Sequence, residues 1–244
     1  MITKEMIEQA REIIEKLHLP EEFGVDESGD MDENVITLLD DQLTAAQIQN
    51  FEIMNGISKA VIVLDDFPFV IKIPLNGNWH YEYDYDEEND DWAANEDETI
   101  FTWFTHACAP DTSDYCWNEY DKIKMAQDRG YGELFPDMEQ IFEDKYGRHF
   151  YIQEKVRVFS YFDKQNPPSA DSRKRAESME PKYSACNVNW RASVIDFYGE
   201  NFWISFVNWN DHGCFGYLDD MHSSNYGYRF DGTPVLIDVS GFRD

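Results

Sequence analysis

Near its end the chain carries Asp220-Met221-His222-Ser223-Ser224-Asn225, followed after a turn at Asp231-Gly232 by Leu236-Ile237-Asp238. An Asp and an Asn five residues apart on one loop, with a second Asp ending a nearby apolar strand, suit phosphoryl transfer. The first carboxylate can accept a hydroxyl proton, while the Asn oxygen and the second carboxylate can hold magnesium on phosphates. The Asp231-Gly232 turn predicts a hairpin that brings Asn225 and Asp238 together.

Towards the N-terminus, the period of the apolar residues changes several times. Ile7, Ala10, Ile13, Ile14 and Leu17 fall on one helical face, and the helix is expected to stop near Leu19-Pro20. Glu21 to Glu33 reads as an acidic loop. Val35, Leu38, Leu39 and Leu43 predict a second helix, restarting at Thr44 as the cap of a further helical run to Met54. After Asn55-Gly56, two Val- and Ile-rich runs around Asp65-Asp66 predict a β-hairpin with Lys72 in its second strand. Residues 76–114 read as an acidic insertion with a solvated face, and no Lys or Arg occurs between Lys72 and Lys122. A helix is expected from Cys116 to Gln127, then a strand pair turning at Tyr146-Gly147. Lys164 to Lys182, with Pro167-Pro168 and the basic run Arg173-Lys174-Arg175, reads as a linker or mobile loop. One helix rich in Trp and Phe should span Asn189 to Trp209, and the chain should close with two strands about Asp231-Gly232.

At the quoted residues the chain resembles the protein-kinase-like superfamily. DMHSSN is similar to the DxHxxN catalytic loop of the aminoglycoside and choline phosphotransferase branch, and LIDVSG resembles the strand carrying the metal-binding Asp of the DFG element. Lys72 in FVIKIP resembles the strand lysine that pairs with phosphates, and Glu119 its ion-pair partner. Gln153-Glu154-Lys155-Val156 resembles the hinge that contacts adenine through its backbone, and Gly56-Ile57-Ser58-Lys59 stands in the place of the glycine-rich loop. The resemblance implies Asp220 as catalytic base, with Lys72 and Glu119 beside it in the catalytic set. It implies Asn225 and Asp238 as magnesium ligands, and Gly56, Ser58, Lys59, Lys72, Glu154 and Val156 as the ATP-binding positions.

The departures carry information too. Leu218-Asp219 stand where protein kinases have His-Arg, Val239 and Ser240 replace the Phe and Gly of DFG, and a single glycine serves the loop at Gly56. The sequence given ends at Asp244, so a reduced second lobe is expected, without the helices that grip a protein substrate.

Composition bounds the partners. There are 49 Asp and Glu against 20 Lys and Arg, a formal net charge of -29, which argues against a nucleic-acid groove or an anionic membrane and favours basic partners or cations. The 42% hydrophobic content excludes disorder throughout. Cys108, Cys116, Cys186 and Cys214 form no CxxC pair and are read as buried and reduced rather than as zinc ligands with His106 or His212. The N-terminus is charged rather than signal-like, and a soluble cytoplasmic protein is expected.

The fold expected is therefore α+β and two-lobed: a helical N-terminal extension (1–50), an N-lobe-like sheet and helix (51–157) with the acidic insertion, and a reduced C-lobe (158–244). The activity expected is phosphotransfer dependent on ATP and Mg2+. The alternative is a catalytically inactive kinase-like protein whose acidic surface blocks a basic partner, as a nucleic-acid mimic or anti-defence inhibitor would.

Overall fold

The two apolar runs around Asp65-Asp66 form the middle of a five-stranded sheet. A computed structural model of the chain describes residues 2–25, 33–55, 59–86, 91–103, 115–160, 167–184, 186–210 and 225–238. In chain order the elements are α1 (Lys4–Ile14), β1 (Gly24–Val25), α2 (Glu33–Ala45), β2 (Phe51–Asn55), β3 (Lys59–Leu64), β4 (Phe69–Pro74), β5 (Gly77–Asp86) and β6 (Asp91–Trp103). Then come α3 (Tyr115–Asp128), β7 (Met138–Glu143), β8 (His149–Glu154), β9 (Arg157–Val158), α4 (Ala170–Glu177), α5 (Val188–Tyr198), α6 (Glu200–Asn210), β10 (Tyr226–Tyr228) and β11 (Pro234–Leu236). The class is α+β, and the chain divides into two compact units: residues 1–118 with 138–153, and residues 119–137 with 154–244.

In the first unit the sheet order is β2-β3-β4-β8-β7, with β2/β3, β3/β4 and β7/β8 antiparallel. Successive strand residues alternate faces, so Ala60, Ile62, Leu64, Phe69, Ile71, Ile73, Phe150 and Ile152 share one face. All of them belong to one apolar core with Ala10, Ile13 and Ile14 of α1 and Leu39 and Leu43 of α2. Helix α1 forms because Thr3 accepts a capping hydrogen bond from the Met6 N–H and its apolar residues recur on one side. It stops at Ile14, earlier than Leu19-Pro20, although Leu17 and Leu19 still enter the core.

The helical run expected after Thr44 is not formed. Gln47 and Asn50 take left-handed φ values of 61° and 56°, and the chain then enters β2, whose residues pair with β3 from Phe51↔Leu64 to Asn55↔Ala60. Pairing to a neighbouring strand outweighs the local helical pattern.

β5 and β6 form a long antiparallel ribbon, while β1 runs parallel beside β5. The glycines at its base are required by close approach: a Cβ on Gly24 would meet the Gly77 carbonyl oxygen at 2.3 Å and the Phe101 ring at 2.8 Å. Tyr81 pairs with Thr99 and Glu82 with Asn95, so Glu96, Asp97 and Glu98 bulge out of the ladder.

The second unit is built around β9, β10 and β11, in the order β11-β10-β9. Two expectations fail here. The basic island is helix α4, started by Ser169, whose Oγ accepts from the Ser172 N–H. Its arginines are engaged along that helix, Arg173 with Glu177 and Arg175 with Asp171. The single helix expected over 189–209 is two, because Gly199 adopts φ +92°, a value that ends α5 before α6 begins. No helix among the described residues is long and apolar enough to cross a membrane.

Candidate functional site

The hairpin of β10 and β11 brings together the two residues read as metal ligands. Its register runs from Tyr226↔Leu236 to Tyr228↔Pro234. One step further out, the Asn225 carbonyl accepts from the Ile237 N–H at 2.8 Å, so Asn225 and Asp238 lie at the same open end. The turn at the other end is locked: Asp231 Oδ1 accepts from the Thr233 N–H at 2.9 Å, and Gly232 takes φ +94°. The backbone and side-chain hydrogen bonds from Thr233 hold the Asp231 carboxyl below its ordinary value. Asn225 is buried and Asp238 partly buried.

This hairpin is anchored by a residue that the sequence reading passed over. Arg229 Nε donates to both oxygens of Glu154 at 3.1 and 3.0 Å, while its terminal nitrogens donate to the carbonyls of Glu133 and Phe135 at 2.8 and 2.6 Å. Beside it, burial pushes the Tyr198 hydroxyl up to about 12, which keeps it a donor, 2.7 Å from the Glu133 carbonyl. Gly227 is equally needed, since a Cβ there would meet the Arg157 carbonyl oxygen at 2.0 Å. Trp190 Nε1 donates to the Gly227 carbonyl at 2.9 Å, and its ring sits 4.9 Å from that of Tyr226.

Glu154, expected to face adenine through its backbone, has its N–H bonded to the Asp137 carbonyl at 2.8 Å. Val156 lies in the link between β8 and β9.

In the first unit the sheet face opposite the apolar core carries the strand lysine. Lys72 pairs with Val61 and Lys59 with Pro74, which puts both lysines on that face as diagonal neighbours across β3 and β4. Diagonal pairs have Cβ atoms about 7 Å apart. Lys59 was expected in a glycine-rich loop; it opens β3 instead. The two side chains are only 4% and 3% exposed. Tyr151 and Gln153 alternate with core residues Phe150 and Ile152 along β8, so they share the lysines' face, and both are buried.

Glu119 is not on a solvated helix face: it is wholly buried on α3, together with Cys116, Lys122, Ile123 and Ala126. A buried carboxylate requires a cation or several donors around it. Gly56, Ser58 and Asp220 lie outside the described residues.

Other chemistry read from the sequence finds less support. Burial pushes the Cys186 thiol up to about 12, against the pull of Arg191, so it is no thiolate nucleophile or ready metal ligand. Cys116 is buried, and Cys108 and Cys214 lie outside the described residues. Among the described residues no three His, Cys, Asp or Glu side chains cluster in a way that could hold a metal. No protein-family model matches this chain, and no curated protein matches it either.

Proposed function

We propose that this protein is an ATP- and magnesium-dependent phosphotransferase with a two-lobed, kinase-like fold. The observation that carries the reading is the open end of the β10-β11 hairpin, where the backbone of Asn225 bonds to Ile237 and Asp238 follows; in this reading Asn225 and Asp238 would supply oxygen donors of the kind that magnesium prefers. The five-stranded sheet adds support, with Lys72 on the face opposite its core, followed in the chain by a helix that buries Glu119. In this reading Lys72 neutralises phosphate charge, Glu119 is the acid that balances it, and Asp220 accepts the proton of the acceptor hydroxyl. Magnesium, when bound, would offset the negative charge of the phosphates. Backbone recognition of adenine falls to Val156, because the Glu154 N–H is already engaged.

A second reading draws on the ribbon. In the sequence of β5, Glu82, Asp84 and Asp86 alternate with Tyr81, Tyr83 and Tyr85, and the strand carries no Lys or Arg. A segment of that composition suits a basic protein partner, which the protein would block without any catalysis.

One comparison separates the two readings. Asp220→Asn should slow ATP-dependent phosphate release by about a hundredfold or more with nucleotide binding retained. Neutralising Glu87, Glu88, Asp90 and Asp91 should leave that rate within a few-fold. Unchanged release in Asp220→Asn would overturn the phosphotransferase reading. Loss of function confined to the charge-neutralised variant would favour the blocker.

A further inference from the structure

The second unit carries a cavity that the phosphotransferase reading does not use. Its volume is about 210 Å3, it opens to solvent, and its walls include Pro167, Pro168, Asp196, Phe197, Asp231 and Pro234. We propose that this cavity receives one arginine side chain of a basic protein segment, with the guanidinium drawn to the two carboxylates and the Phe197 ring.

Size narrows the ligand first. Pockets for nucleotide- or drug-sized molecules run from about 300 to 1,000 Å3, so this one suits a single side chain whose bearer stays outside. Charge narrows it further, because the walls hold two carboxylates and no Lys, Arg or His. Asp196 accepts from the Ser169 N–H at 2.6 Å, the Ser169 hydroxyl at 2.8 Å and Ser172 Oγ at 2.6 Å, and Asp231 accepts from the Thr233 N–H at 2.9 Å. These donors are neutral. They favour the ionised carboxyls without cancelling their charge, and both groups lie below their ordinary value. A carboxylate offers about four lone-pair sites, so a further donor can be accepted. The arginines whose fields reach the two acids are committed to other groups: Arg175 pairs with Asp171 at 3.0 Å and Glu200 at 3.8 Å, and Arg229 is spent on Glu154 and two carbonyls.

The apolar wall selects among cations. Phe197, next to last in α5, is 56% exposed, and its ring is held edge-on to Tyr198 with centroids 4.8 Å apart. An exposed aromatic beside carboxylates favours a planar guanidinium on an apolar stem, which stacks on the ring while donating to an oxygen. The three prolines are rigid rings already in place before a ligand arrives, which lowers the ordering cost of binding. A formal net charge of -29 draws a basic segment towards the molecule from a distance.

The inference rests on the basic-partner reading and moves its contact to the second unit, so the test separates the two. The full chain, labelled with 15N, is titrated with acetyl-Gly-Arg-Gly-amide and with the same peptide carrying lysine or citrulline in place of arginine. The proteins are the wild type, Phe197→Ser, Asp231→Asn and a variant neutralised at Glu87, Glu88, Asp90 and Asp91. Phe197 is exposed and Asn keeps the acceptor of the turn, and circular dichroism confirms that each variant is folded. Amide shifts should centre on residues 193–197 and 231–233. Citrulline should bind about 10-fold or more weakly than arginine, as for one lost charge-assisted contact, and lysine a few-fold more weakly. Phe197→Ser and Asp231→Asn should each lose several-fold in affinity, and the neutralised variant should stay within a few-fold of the wild type. Equal binding of the arginine and citrulline peptides would overturn the proposal. Wild-type affinity in Phe197→Ser and Asp231→Asn, with binding lost in the neutralised variant, would overturn the cavity and leave the basic-partner reading standing. Wild-type protein that binds none of the peptides would overturn both.

Discussion

The two units hold their candidate residues by different physics. In the first, the five-stranded sheet has an apolar face that packs against α1 and α2, and Lys59 and Lys72 lie on the other face. Folding and candidate function are thus divided between two sides of the same strands. In the second, the hairpin that presents Asn225 and Asp238 is kept in place by directed polar contacts: Arg229 to Glu154 and two carbonyls, Trp190 to Gly227, and Tyr228 to Ser193 at 3.2 Å. There the groups that fold the unit stand within a few residues of those read as the site. The first unit should therefore tolerate changes at its site positions, and the second should not.

The largest effect that could break this comparison lies on the apolar face. Ile71→Lys adds a cation one residue from Lys72, on the core face, and should cost about 4 kcal/mol or more in chemical denaturation. A cost below about 1 kcal/mol would show that the two faces are not distinct.

Arg229→Met comes next. It leaves the half-buried Glu154 carboxylate without its cation and removes one donor each from the Glu133 and Phe135 carbonyls, a loss of about 2–4 kcal/mol. Native-state hydrogen exchange should rise first in residues 225–238; an unchanged exchange pattern would remove Arg229 from the support of the hairpin.

Smaller still is the effect of Asp196, which accepts from the Ser169 N–H and hydroxyl and from Ser172 Oγ at the start of α4. Burial pushes its carboxyl up, but those hydrogen bonds and Arg175 outweigh it and hold it below 3.8. A depressed carboxyl contributes stability that is present above its unfolded value and lost as pH falls through the native one. Asp196→Asn should cost about 1 kcal/mol at pH 7. The difference should disappear well below pH ~3.8, where both side chains are neutral. A difference that persisted at low pH would contradict the charged-acceptor account.

How much of this was legible depended on whether local pattern and tertiary pairing agreed. The hairpin of β3 and β4, the β7-β8 turn at Gly147, helix α3 and the closing β10-β11 hairpin all follow from apolar period and turn chemistry. Residues 44–54 did not, because their helical spacing yields to pairing with β3. The ribbon was half visible. Tyr81, Tyr83 and Tyr85 alternate with Glu82, Asp84 and Asp86 as a strand should, but the density of charge suggested a solvated insertion. In the candidate site, the hairpin that separates Asn225 from Asp238 was readable from the turn at Asp231-Gly232. The shared face of Lys59 and Lys72 was not, since it depends on a register that only the paired strands define. Arg229 carried no signal at all, for its partners are 75 to 96 residues away in the chain.

The most direct test of the central claim is the affinity for ATP in magnesium and in EDTA, measured for the wild type and for Asp238→Ala. The account predicts that the wild type binds more tightly in magnesium and that Asp238→Ala loses about 10-fold or more there, while the two proteins bind alike in EDTA. Equal binding by both proteins in magnesium would contradict it.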